Sequence, residues 1–181
     1  MPSWSRIARR IRVPLGFAFA GVYIWLAHPS ELSIAIGSVV AFAGLGIRAL
    51  ASGHIRKNEA LTMTGPYAYT RNPLYLGSII LAGGFLIAAR SWWIVLIAAA
   101  ILVVIYFPVI RSEETFLLER FPEYEDYARY VPRLWPRLRP YQRSTGAFSW
   151  HLYWKHREYN AAIGMLCIVA VLIGKVIWFA K

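Results

Sequence analysis

The sequence predicts an all-α integral membrane protein with five transmembrane helices, the third and fourth forming a helical hairpin. Three observations predict it. Of the 181 residues, 58% are hydrophobic and the mean hydropathy is +0.45, above the roughly half-apolar composition of soluble domains. The apolar residues fall in long blocks, of the length that crosses a hydrocarbon core. The formal net charge of +11 sits beside those blocks, as membrane topology requires, so no nucleic-acid partner is read from it. The single Cys167 lies inside an apolar block and offers neither an internal disulfide nor a thiolate cluster.

The elements follow in order. Residues 1–12 carry Arg6, Arg9, Arg10 and Arg12 with Trp4 and Ile7, an interfacial segment suited to anionic headgroups. The first span is Val13–Ala27. No small-residue cleavage site follows it, so it reads as retained rather than as a removed signal. Pro29 ends that helix and Ser30 caps the next. The second span, Leu32–Ser52, carries Gly37, Ala41, Gly44 and Gly46, which permit close helix contact. Arg48 near its end either reaches the interface or helps to bind an anion. A first polar connection, Gly53–Pro73, leads to the third span, Leu74–Ala89. Arg90-Ser91 leaves room only for a tight hairpin into the fourth span, Trp92–Ile110, where Pro108 predicts a kink. A second polar connection, Arg111–Arg143, continues as helix past Glu113, Glu114, Leu117 and Leu118. It breaks near Pro122 and resumes through Tyr124, Tyr127 and Val131. Phe148–Tyr159 reads as an interfacial helix and Ala161–Phe179 as the fifth span. The chain thus divides into a core, 1–140, and an appended interfacial helix with an extra span, 141–181.

Orientation follows from the basic residues. With the N-terminus inside, all but three of the 20 Lys and Arg residues, Arg90, Lys175 and Lys181, lie on the inner side. Both long polar connections then share the cytoplasmic face.

Those connections carry the candidate chemistry. Gly65-Pro66-Tyr67 is a turn, and Pro73 suits the first turn of the third span. The free N–H groups there favour a carboxylate or phosphate, and Arg71 adds a charged fork; a plain basic interfacial loop remains the alternative. Glu113 and Glu114 stand where arginine otherwise dominates. They either accept from a ligand ammonium or pair with Arg111, Arg120 or Arg71. Tyr67, Tyr69, Tyr75, Tyr124, Tyr127 and Tyr130 form either an aromatic wall for a flat base or sulfonium, or an ordinary interfacial belt. His28, His54, His151 and His156 show no ligand spacing and read as interfacial, so no metal site is assigned.

In order, Gly65-Pro66-Tyr67, Arg71-Asn72-Pro73-Leu74-Tyr75-Leu76-Gly77, Glu113-Glu114, Phe121-Pro122-Glu123-Tyr124, Tyr127 and Val131-Pro132-Arg133 resemble the isoprenylcysteine carboxyl methyltransferases, which belong with the membrane phospholipid methyltransferases. The resemblance covers about residues 30–138. It implies an integral membrane enzyme that uses S-adenosylmethionine, with the cofactor held on the cytoplasmic side. Glu59, Ala60, Leu61, Thr62, Tyr67, Asn72, Pro73, Leu74 and Tyr75 should line that cofactor, with Glu113 or Glu114 taking its ammonium. Arg111 is the nearest match to an arginine that holds the acceptor carboxylate, and Arg71 is the second candidate for that catalytic role. Many members have His in place of Asn72 and of Glu59.

The expected function is methyl transfer to a lipid-like or small acceptor at the bilayer surface, most simply a carboxylate, which needs no strong base. Phospholipid amines and small thiols are alternative acceptors. A sterol-type membrane reductase holding NADPH is an alternative activity, and a non-catalytic membrane scaffold a third. The expected setting is a bacterial or archaeal inner membrane rather than the endoplasmic reticulum, with the N-terminus cytoplasmic.

Overall fold

A computed structural model describes residues 3–56, 59–142 and 146–179. The described residues form seven helices and no strand: α1 Ser3–Leu26, α2 Glu31–Ser52, α3 Pro73–Ala89, α4 Trp92–Arg120, α5 Tyr124–Tyr130, α6 Trp150–Lys155 and α7 Tyr159–Phe179. A short 3-10 turn spans Gly65–Ala68. Three helices, α2, α4 and α7, are long and apolar enough to cross a membrane, while the apolar stretches Pro14–Leu26 and Pro73–Ala89 are shorter. All five expected spans are therefore helical, but three have the length of a full crossing. The interfacial segment and the first span form one continuous helix, α1, with Pro14 inside it. Lys57, Arg143 and Lys181, and the side chains of Arg6, Arg9 and Arg12, lie outside the described residues.

The scaffold is the α2–α3 pair. Ser30 caps α2 by accepting from the Ser33 amide, and the Ser33 hydroxyl accepts in return from the Ser30 amide. Along the contact, Gly37 faces Gly84 and Gly44 faces Gly77 so closely that a Cβ at any of the four would run into backbone across the interface. Contact of this kind replaces the hydrophobic drive that lipid cannot provide. Gly46, expected in the same stripe, has open space around it. It sits two positions from Gly44, on another face of the helix.

The chain reverses between α3 and α4 through Arg90, whose φ of 50° is left-handed. In α4 the ladder shifts to a π turn at Leu102–Tyr106 just before Pro108. Pro108 has no N–H to give to Val104, four residues back. The Val104 carbonyl instead accepts from the Trp4 indole at 3.1 Å. The predicted kink site is thus a π turn whose orphaned acceptor is claimed by α1, and Ala8 packs beside it on Ile105 and Val109.

At the end of the bundle holding the α3–α4 reversal, Tyr23, Ala27, Ile34, Ala88, Ala89, Ile94 and Leu172 form a buried cluster. There Lys175 of α7 donates to the carbonyls of Ile24, Trp25 and Ala27 at 2.6–3.2 Å. A cation at the carbonyl end of α1 satisfies both acceptors and dipole. Both polar connections gather at the opposite end.

The glycine contact generates a test. Gly44→Leu should lower stability in detergent by about 1–3 kcal/mol or more, read as a fall in thermal midpoint. Gly46→Leu should leave it within about 0.5 kcal/mol of the parent protein.

Candidate functional site

The two polar connections are laced together by backbone hydrogen bonds. The amide of Arg71 donates to the Pro132 carbonyl at 2.9 Å, that of Arg137 to Tyr69 at 3.0 Å, and that of Tyr141 to Ala68 at 2.9 Å. The prolines at 132, 136 and 140 keep this stretch extended, which suits it to lie along the 3-10 turn. The Tyr127 hydroxyl donates to the Tyr67 carbonyl at 2.7 Å. Tyr124, Tyr127 and Val131 pack with Leu61, Met63, Leu117 and Phe121 into a local core.

Glu114 is the charged centre of the junction. It is buried, 8% exposed. Its carboxylate accepts from Arg133 at 2.7 and 2.8 Å and from Asn72 Nδ2 at 3.2 Å, and Arg71 Nη1 lies 3.8 Å away. Asn72 precedes Pro73 at the start of α3 but does not cap it. Its amide side chain donates instead to Glu114 and to the Arg133 carbonyl at 3.2 Å. Hydrogen bonding to Glu114 holds the Arg133 guanidinium above the usual range.

Between the connections and the ends of α2, α3 and α4 lies a cavity of about 840 Å³, within the range of small-molecule sites. Ala60, Leu61, Thr62, Tyr67, Arg71, Asn72, Leu74 and Tyr75 line it from the first connection and α3, and Glu113 lines it from α4. Asn72 and Glu113 therefore share one cavity. Tyr106, Phe116, Leu117, Phe121, Tyr124 and Tyr127 supply a largely aromatic wall. The Tyr67 hydroxyl is buried there and has no hydrogen-bond partner among the described residues. Burial raises the phenols of Tyr67 and Tyr127, and it pushes Tyr124 up to about 12 with help from the Glu114 charge. All three are neutral donors at ordinary pH.

Four of the expected site residues do not line this cavity. Arg111 does not line the cavity; it is exposed and lies 4.7 Å over the Phe107 ring. Positions 111 and 114 are three apart and neighbour each other on the helix surface, but the Arg111 guanidinium turns to the Phe107 ring, which Arg133 also approaches at 5.8 Å. Glu59 lies in a neighbouring cleft of about 570 Å³ and pairs with Lys155 at 3.3 Å. Pro73 is buried but not on the wall. Glu114 is occupied by protein partners, while Glu113 faces the cavity and forms no ion pair among the described residues. The two adjacent acids point apart by about 100°, as a helix dictates.

Sequence reasoning gave no role to Ser78 or Glu158, placed Arg133 only within a motif, read His156 as interfacial and left Arg48 between the interface and anion binding. Arg48, Ser78, His156 and Glu158 line the cavity. Glu158 carried a readable signal, being the one acid in the aromatic and basic stretch from Trp150 to Tyr159. His156 is not simply interfacial, since its Nδ1 lies 3.1 Å from the Ser52 carbonyl.

The phospholipid methyltransferase family matches residues 32–124, the stretch from the start of α2 to the start of α5. The chain belongs to that family. It is also similar to metal-resistance proteins. One is the cobalt-zinc-cadmium resistance protein CzcN of Cupriavidus metallidurans, 34% identical over 107 residues, covering 59% of this chain and 48% of that one. Another is the nickel-cobalt-cadmium resistance protein NccN of Alcaligenes xylosoxydans xylosoxydans, 37% identical over 83 residues, covering 46% of this chain and 39% of that one. The chain thus spans less than half the length of these curated relatives. No solved structure matches it. Among the described residues, no group of three His, Cys, Asp or Glu side chains is placed to hold a metal ion. The chain is thus a helical member of that family, and among the described residues three helices are long and apolar enough to cross a membrane.

Glu114→Ala would leave Arg133, Arg71 and Asn72 without their shared acceptor. It should cost about 3 kcal/mol or more, seen as a lower thermal midpoint. The buried phenols set an alkaline limit as well. Because Tyr124 is raised to about 12, its contribution is complete below pH ~10 and is lost as pH rises through about 12. Phenolate absorbance during alkaline titration should show Tyr124 ionising late, together with the loss of folded protein.

Proposed function

We propose that this protein transfers a methyl group from S-adenosylmethionine to a carboxylate on a lipid-like or small acceptor, at the cytoplasmic surface of a bacterial or archaeal inner membrane. The observation that carries the cofactor assignment is the division of labour between the paired acids. Glu114 is neutralised by Arg133 and Arg71, whereas Glu113 turns its carboxylate into the cavity beside the buried Tyr67 hydroxyl. An amino-acid ammonium or sulfonium would meet Glu113 and the aromatic wall with favourable charge. The buried Tyr67 hydroxyl is a polar group that a ligand would satisfy. Asn72, Leu74, Tyr75 and Ala60–Thr62 complete the enclosure. The residues fit the group in charge, shape and volume.

When bound, the cofactor would supply an electrophilic methyl carbon whose sulfonium can leave as a neutral thioether. A carboxylate acceptor has no proton to lose, so the protein needs no base. Its task is to align the reactants and exclude water. Glu113 would hold the cofactor's ammonium end and Tyr67 would give it a second point of contact. Arg71 and Asn72 are held in register by Glu114, so that junction positions the wall rather than reacting. Arg71 lends positive potential to the cavity, while Arg111, outside it, takes no part in holding the acceptor.

Purified protein in detergent should bind S-adenosylmethionine in calorimetric titration. Glu113→Gln should weaken binding by about 30-fold, the loss of ~2 kcal/mol expected when one partner of a charge-assisted contact is removed. Its thermal midpoint should stay near that of the parent. Unchanged affinity in Glu113→Gln would overturn the assignment. Methyl-labelled cofactor with membrane extract should give a labelled, base-labile ester.

A further inference from the structure

We propose that Arg48 is the acceptor-holding residue of this cavity, and that Glu158 occupies it as an internal stand-in for the acceptor carboxylate. The inference rests on the methyl-transfer reading and names the site of its second substrate.

Arg48 lies in the last turns of α2, at an apolar depth where an unpaired guanidinium is costly. The structure makes room for it deliberately. Gly77 of α3 leaves space that a Cβ would take from the Arg48 Cγ. Ser78, the next residue, accepts from Arg48 Nη1 and donates to the Leu74 carbonyl at 2.8 Å. Arg48 Nε donates to Glu158, which is only 6% exposed. Both charges line the same cavity as Glu113 and the partnerless Tyr67 hydroxyl. Glu113 on α4 and Arg48 on α2 thus line one cavity, and Tyr67 feels the charges of both.

The pair is asymmetric in how its members are held. Arg48 is anchored on the glycine-locked α2–α3 contact. Glu158 hangs from the turn between α6 and α7, and the residue before it, Arg157, has a φ of 53°. A non-glycine residue in that region costs of order 1 kcal/mol. The turn thus carries strain that delivers a carboxylate to a fixed guanidinium. The member free to leave is the carboxylate, so what replaces it is another carboxylate. Facing the cavity, Arg48, Arg56 and Arg71 outnumber Glu113 and Glu158, which also favours an anionic acceptor over an amine. Glu158 lies beyond the family-matched residues 32–124, so this stand-in is built by the C-terminal segment.

The test uses the full chain in detergent with decanoate, decylammonium and decanol as probes, alongside S-adenosylmethionine. Decanoate should bind in preference to the other two. Arg48→Gln should weaken decanoate at least about tenfold and leave the affinity for S-adenosylmethionine within about threefold. Glu158→Gln should tighten decanoate several-fold, because the internal occupant is gone. Unchanged decanoate binding in Arg48→Gln, weaker binding in Glu158→Gln, or a preference for decylammonium would each overturn the proposal; the last would assign the site to an amine received by Glu158. If a single change unfolds the protein, the double variant R48Q/E158Q, which leaves no lone charge, must still lose the decanoate preference, and its retention would overturn the idea. Failure of the cofactor reading shows separately, as absent S-adenosylmethionine binding in the parent protein.

Discussion

A single buried carboxylate holds the polar half of this protein together. Glu114 takes hydrogen bonds from a side chain at the entrance of α3 and from another in the extended strap after α5, with a second arginine nearby. Without it the two connections would present facing arginines, and repulsion would replace the lacing of their backbones. Burying an ion pair brings little stability by itself, since desolvation offsets attraction. Its value here is positional: it fixes which peptide of one loop faces which peptide of the other. The cavity, the orientation of Asn72 and the outward turn of Arg111 all follow from that register.

Much of this was legible in the sequence. Long apolar blocks, proline and glycine punctuation, and the break at Pro122 placed most helices to within a few residues, although α1 begins at Ser3 rather than at Val13. The order of motifs named the family. What could not be read was direction within a helix. Glu113 and Glu114 are equivalent to any rule based on composition, and only the packing of α4 decided that one meets arginines and the other the cavity. Arg111 is one turn of helix before Glu114 and still points elsewhere, because Phe107 offers its guanidinium a ring on the outside. Gly46 looked like part of the close-contact stripe, yet two residues along a helix is most of the way to the opposite face.

The C-terminal segment illustrates a different limit. Nothing local in Trp150–Tyr159 states that its one acid travels back to α2, a contact 110 positions away in sequence. Pairings of that range depend on which helix lies beside which, and apolar helices of similar composition do not announce their neighbours. The same holds for Trp4, whose indole answers the carbonyl that Pro108 cannot serve.

The amine of Lys175 finds its acceptors roughly a whole chain length earlier, 148 to 151 positions back. During synthesis, therefore, the carboxyl end of α1 is made long before the group that satisfies it. Those carbonyls must stay hydrated or wait among headgroups until α7 is laid down. Closure of that end of the bundle therefore waits for α7, and α1 and α7 are clasped only after α7 has been made.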